Sequence, residues 1–222
     1  MKVKDRMTPN PYTITPEASI YEAWTLMHQH EVTRLPVLDQ QKIVGIITTS
    51  DIGARPDLDF RGLPTMPGEF TLAEEHLLNR TKVRDVMSSE QAIVTVEPDA
   101  YIEQAAKLLR EINTPGLLVV NSDDKLVGII TQADIFDALL DLLGINRSGS
   151  RISLRVDDAP ETWIKILQIL KKHNLRIENF VSMEIKDEPT LLIIRVNTIE
   201  SQPIVDDFKA AGFPIESIVV KQ

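Results

Sequence analysis

Gly45-Ile46-Ile47-Thr48-Thr49-Ser50-Asp51 returns later in the chain as Gly128-Ile129-Ile130-Thr131-Gln132-Ala133-Asp134. Outward from that pair the likeness continues. Val3-Lys4-Asp5-Arg6-Met7 comes back as Val83-Arg84-Asp85-Val86-Met87, and Thr13-Ile14-Thr15-Pro16 as Thr95-Val96-Glu97-Pro98. The spacing between copies drifts slightly along the unit, as short loop insertions would make it do. A duplicated unit that keeps Thr-x-x-Asp after an apolar strand predicts two equivalent binding clefts, not one active site.

The chain has 222 residues, 43% of them hydrophobic and 26% charged, the composition of a globular protein with more than one core. No apolar run approaches the roughly 20 residues that span a bilayer, and Met1-Lys2-Val3-Lys4-Asp5 lacks the apolar core of a signal peptide. With no cysteine there is neither a disulfide framework nor thiolate chemistry. These features point to a cytoplasmic protein without membrane association. A net charge of −9 and 5% aromatics argue against nucleic acid, which asks for a basic surface and stacking platforms.

Each copy reads as extended segment, helix, strand, turn, strand, helix. In the first, Ser19 and Glu22 form a capping box ahead of a helix with Ile20, Ala23, Trp24 and Met27 on one face. Leu35–Leu38 and Ile43–Ile47 are strands, the latter apolar throughout and expected to be buried on both faces. The second copy repeats this with Ile102, Ala105, Ala106 and Leu109 on its helix and strands at 117–120 and 126–130. Its closing helix carries Ile135, Leu139, Leu140 and Leu143. The first copy's closing helix is cut short by Pro56 and a Gly/Pro-rich loop, 53–68, before Thr71 and Glu74 open another capping box. The expected organisation is a first unit at 1–56, a linker with a short helix at 57–80, a second unit at 81–143, a polar linker at 144–150 and a third unit at 151–222.

In the third unit Ile152, Leu154 and Val156 alternate as a strand. Asp158, Pro160 and Glu161 mark a helix start, and Trp163, Ile166, Leu167 and Leu170 its apolar face. Strands at 177–185 and 191–196, a helix from about Ser201 to Gly212 and a strand at 215–220 complete βαββαβ, the ferredoxin-like order with two helices on one face of a sheet. The fold class is therefore α/β (α+β).

At each Gly-Ile-Ile-Thr-x-x-Asp the strand delivers a threonine to a turn and a helix begins beside the aspartate. Exposed N–H groups there favour an anion, and the threonine hydroxyl can donate to a phosphate oxygen. An ionised aspartate accepts hydrogen bonds only, which suits a ribose diol. The same four residues are also what a plain helix N-cap needs, and both readings stand at this point.

The two units resemble cystathionine-β-synthase-type (CBS) domains, which occur in tandem as a Bateman module. The matching features are Val-x-Asp-x-Met at each start, Pro16 and Pro98 ahead of the helices, Leu35-Pro36-Val37, and Gly-Ile-Ile-Thr-x-x-Asp at each end. The resemblance covers about residues 1–143. It implies regulatory binding of adenosyl ligands (AMP, ADP, ATP or S-adenosylmethionine), with adenine among apolar strand residues, aspartate on the ribose and threonine near the phosphate. Carried over residue by residue, the first site would use Thr13, Ile14, Arg34, Pro36, Thr48 and Asp51, and the second Thr95, Val96, Thr131 and Asp134. Arg34 is either a solvated cation or a bidentate phosphate clamp. Its counterpart, Gly116, has no side chain, so the first site is expected to prefer the more phosphorylated ligand.

Residues 151–222 resemble an ACT domain, from the element order and Val156-Asp157-Asp158-Ala159-Pro160. Amino-acid-binding members of that family carry glycine just after such a proline; Glu161 stands here, which favours dimerisation or docking. Tandem CBS units followed by an ACT-type domain resemble the acetoin-utilisation protein AcuB family. The implied function is a non-catalytic regulator of acetoin or central carbon metabolism. It would need no cofactor and would form a homodimer through the CBS units, the ACT-like domain or both, acting on a regulated enzyme. A homo-oligomeric scaffold with empty clefts and an amino-acid-responsive regulator are the alternatives. His28, His30, His76 and His173 lack metal-ligand spacing, and no nucleophile motif or phosphate-binding loop occurs.

Overall fold

The computed structural model of the chain describes residues 1–53, 72–87, 93–157 and 159–222. The loop expected at 53–68, Thr71 and the Glu74 side chain of the expected capping box, and Asp158 fall outside what is described, Gly53 itself excepted. Two compact units result, Met1–Ile135 and Phe136–Gln222.

In the first unit, Ser19 opens helix α1 (Ile20–Gln29) through the expected reciprocal pair. The Glu22 N–H donates to Ser19 Oγ at 3.1 Å, and the Ser19 N–H to Glu22 Oε2 at 2.6 Å. These bonds hold the Glu22 carboxyl below its ordinary value. Strand β1 (Thr8–Pro9) precedes α1, and β2 (Arg34–Asp39) and β3 (Lys42–Thr48) follow it as an antiparallel hairpin. Its turn places Gln40 and Gln41 at positive φ. Helices α2 (Thr49–Gly53) and α3 (Leu72–Arg80) complete the first half, and α4 (Val83–Val86) opens the second. The second half repeats it: β4 (Thr95–Val96), α5 (Ile102–Ile112), β5 (Gly116–Val120), β6 (Leu126–Thr131) and the start of α6 (Gln132–Leu142), whose residues from Phe136 on belong to the second unit. In β3 only Gly45 and Ile47 are fully buried, so the strand is not covered on both faces as its apolar run predicts. Ile46 is left open to a cleft.

Each copy sends its first segment into the other. The Val3 and Lys4 N–H groups donate to the carbonyls of Ala100 and Pro98, and Val83 and Arg84 donate to Ala18 and Pro16. Ile102 N–H binds Met1 O, and Ile20 N–H binds Thr81 O. Charges repeat the pattern: Lys2 and Lys4 pair with Asp99, and Arg84 with Glu17. Val83 and Val86 consequently belong to the core formed by Ile20, Trp24, Met27, Leu35 and Ile47 of the other copy. The arm ends in a methionine laid on a glycine. A Cβ on Gly128 would stand 2.5 Å from Met7 Sδ, and one on Gly45 2.8 Å from Met87 Sδ. Beyond Met7, β1 pairs with β6, giving the sheet order β1-β6-β5-β4. Val-x-Asp-x-Met and Gly-Ile-Ile-Thr are thus two halves of one interlock.

The second unit contains β7 (Gly149–Val156), α7 (Pro160–Lys172), β8 (Ile177–Met183), β9 (Thr190–Val196), α8 (Gln202–Ala210) and β10 (Ile215–Lys221). Its antiparallel sheet has the order β10-β7-β9-β8, and Ile152, Leu154, Val156, Leu192 and Ile194 pack with Ile166, Leu170, Val205 and Phe208 of the two helices. The polar stretch 144–150 is not all linker, because β7 begins at Gly149. There φ is +136° and any Cβ would collide with the Val196 carbonyl, so only glycine lets the two strands close. Among the described residues no helix is long and apolar enough to cross a membrane.

Two predictions follow from the exchanged arms. Val83→Ala should cost about 2 kcal/mol in urea unfolding and speed amide exchange in α1, although the substitution lies in the other copy; unchanged α1 protection would contradict the exchange. Lys2 and Lys4 hold the Asp99 carboxyl at about 2, below its unfolded value of 3.8. A depressed carboxyl contributes stability above its unfolded value and loses it as pH falls. The melting temperature should therefore drop between pH 3.8 and about 2, and Asp99→Asn should flatten that limb.

Candidate functional site

β3 ends on Thr48 and α2 begins on the next residue, so the threonine sits at the N-cap and Asp51 three residues inside. Thr48 N–H and Oγ1 both donate to Asp51 Oδ2, at 2.8 and 2.7 Å, and Asp51 N–H donates to Thr48 Oγ1 at 3.3 Å. The second copy reproduces this: Thr131 N–H and Oγ1 reach Asp134 Oδ2 at 2.7 Å each, and Asp134 N–H reaches Thr131 Oγ1 at 3.4 Å. Each Thr-x-x-Asp is therefore a helix cap. In both boxes only Oδ2 is engaged among the described residues. The outer oxygen Oδ1 keeps its lone pairs for another donor.

Beside the first box opens a cleft of about 510 Å³, within the range of small-ligand sites. The first copy contributes Arg34, Ile46, Thr48, Ser50 and Asp51 to it. The facing wall comes from the second copy: Ile93, Val94, Ile112, Asn113, Thr114, Pro115, Gly116 and Leu118. Its lining mixes polar groups with apolar side chains from both copies, and α2 begins beside it.

The sequence-predicted residues are divided differently from their expected grouping. Arg34, Thr48 and Asp51 come together. Thr13, Ile14 and Pro36 do not line this cleft: Thr13 is exposed, Ile14 is buried in the core and bridges Val37, and Pro36 is buried in β2 opposite Ile46. Thr95 and Val96 form β4 beside β5, and their chain neighbours Ile93 and Val94 line the Thr48/Asp51 cleft. The cleft is assembled across the two copies, whereas grouping by copy keeps each Thr-x-x-Asp with its own extended segment. By the repeat, the places of Ile93, Val94 and Ile112 are taken in the first copy by Pro11, Tyr12 and His30. Tyr12 and His30 stack, with ring centroids 3.6 Å apart and planes 15° from parallel.

Arg34 occupies both boxes at once. Its backbone pairs across the hairpin with Thr48, while its guanidinium lies over Gly116, which pairs with Thr131. A Cβ on Gly116 would stand 2.7 Å from Arg34 Nη1 and 3.6 Å from Thr131 Cγ2. Burial lowers the Arg34 guanidinium below its ordinary value, and the Asp134 carboxylate pulls it back. No hydrogen bond or ion pair within 4 Å joins the Arg34 guanidinium to another described residue. It is a partly buried cation facing a cleft.

Residues 3–53 and 83–141 match the CBS domain family. Over 157 residues the chain is 31% identical to MJ1426 of Methanocaldococcus jannaschii, covering 63% of this chain and 92% of that one. The chain belongs to the CBS-domain family. Its two matched stretches form a tandem CBS pair, and both contribute residues to the cleft. Some curated relatives are longer; the chain spans 47% of the length of one from the same archaeon. Among solved structures, a Vibrio cholerae protein named for acetoin utilisation (AcuB) is 26% identical, covers 66% of this chain and 95% of that one, and superposes with a TM-score of 0.51. CBSX2 of Arabidopsis thaliana, solved in complex with AMP, is 31% identical, with 66% and 98% covered and a TM-score of 0.49.

Proposed function

We propose that this protein is a non-catalytic regulator whose CBS pair binds an adenosyl ligand: AMP, ADP, ATP or S-adenosylmethionine. The observation that carries the reading is the composite cleft. The Asp51 Oδ1, which no described residue engages, can accept a ribose hydroxyl, and Arg34, whose guanidinium no described residue pairs with, suits a phosphate beside the start of α2. Ile46, Ile93, Val94 and Leu118 offer an apolar slot for a purine. Family membership supports the same class of ligand. The Thr131/Asp134 box, with Arg34 at its edge, is the second site. Such a ligand regulates only through different affinities for two conformations, with a partner enzyme reading the difference.

The second compact unit is proposed as an ACT-type docking or dimerisation module, in a cytoplasmic protein of acetoin or central carbon metabolism. Exposed Phe180 and Met183 on edge strand β8, and Val219 and Val220 on edge strand β10, support a homodimer through it. Glu161 after Pro160 disfavours an amino-acid site there.

Calorimetric titration with AMP, ADP, ATP and S-adenosylmethionine should give submillimolar binding by at least one. Asp51→Ala and Asp134→Ala should each remove one equivalent. No binding below millimolar by any of the four, or stoichiometry unchanged in both variants, would contradict the reading.

A further inference from the structure

The duplication brings position 34 of one copy and position 116 of the other to the same place, and the chain puts arginine at one and glycine at the other. Arg34 starts on β2 opposite Thr48, and its Nη1 reaches the space above Gly116 where the Thr131 methyl also arrives. A side chain at Gly116 would contest that space. There is room for one guanidinium, it borders both Thr-x-x-Asp boxes, and no described residue pairs with it.

We infer that Arg34 is a single cation shared by the two clefts, so that a phosphate held in one deprives the other of its counter-charge and the two sites bind phosphorylated ligands with negative coupling. This rests on the adenosyl-ligand reading above and adds a regulatory property to it. A guanidinium can turn its bidentate edge to one phosphate at a time. The first phosphorylated ligand takes it, and the second meets its own aspartate without that counter-charge. A ligand without phosphate makes no claim on Arg34 and fills both clefts independently. The module would then count charge as well as adenosine, with a half-occupied state over a wide range of nucleotide concentration.

The test uses the full chain, with AMP as the charged probe and adenosine as the neutral one. Asp134→Ala leaves the first cleft and Asp51→Ala the second; each is titrated with and without Arg34→Gln. If either alanine variant fails to fold, the corresponding serine variant, whose hydroxyl oxygen can still accept a hydrogen bond, replaces it. Arg34→Gln should weaken AMP about tenfold in both single-cleft proteins, and should leave adenosine within about threefold. In the otherwise unaltered protein, the second AMP should bind about tenfold more weakly than to either single-cleft protein, a gap that Arg34→Gln closes. Loss of AMP affinity confined to one cleft, or two wild-type steps matching the single-cleft affinities, would overturn the shared cation while sparing the adenosyl-ligand reading. Absence of AMP binding to the unaltered protein would overturn both.

Discussion

The backbone hydrogen bonds from Val3 to Ala100 and from Val83 to Ala18 are the constraint on which the first unit depends. Each ties the opening segment of one copy to the helix start of the other, and each is sealed by buried valines: Val3 on one side, Val83 and Val86 on the other. Burying such a side chain contributes roughly 1.5–3 kcal/mol, so separating the copies would expose apolar surface and leave N–H and C=O groups without partners. Neither copy has a complete core of its own. The same crossing decides where the cleft lies, because the wall opposite Thr48 and Asp51 is built from the chain just before β4 and from the start of β5.

Much of the fold was legible as pattern. Ser19 and Glu22 announce α1 because a hydroxyl and a carboxylate three residues apart satisfy two N–H groups that an isolated helix leaves bare. The alternation of Ile152, Leu154 and Val156, and the 3.6-residue spacing of Ile166 and Leu170, mark the strand and helix faces that meet in the second core. Less legible was the start of β7. Gly149 and Ser150 look like linker by composition, yet the absence of a Cβ is what allows Gly149 to lie against Val196.

The site was legible residue by residue but not as a constellation. Thr48, Asp51, Thr131 and Asp134 stand where a repeated Thr-x-x-Asp places them. The cap reading holds in both copies, with one carboxylate oxygen serving the cap and the other engaged by no described residue. Ile14 and Pro36, which the family resemblance assigned to the first site, are buried and do not line the described cleft. Period and propensity describe one copy at a time, and nothing in them reports that the arms cross. Likewise Arg34 and Gly116, aligned, look like a site with a cation and a site without one. In space they form one arrangement, the glycine making room for the arginine that both boxes border.

The central claim is that the cleft proposed for the adenosyl ligand belongs to both copies jointly. A crystal structure of the full chain with AMP tests it most directly. The account predicts one AMP whose ribose meets Asp51 and whose remaining contacts fall on Val94, Thr114 and Gly116 of the other copy, with Arg34 at the phosphate. An AMP held by Thr48 and Asp51 together with Thr13, Ile14 and Pro36, and touching nothing beyond residue 92, would contradict it.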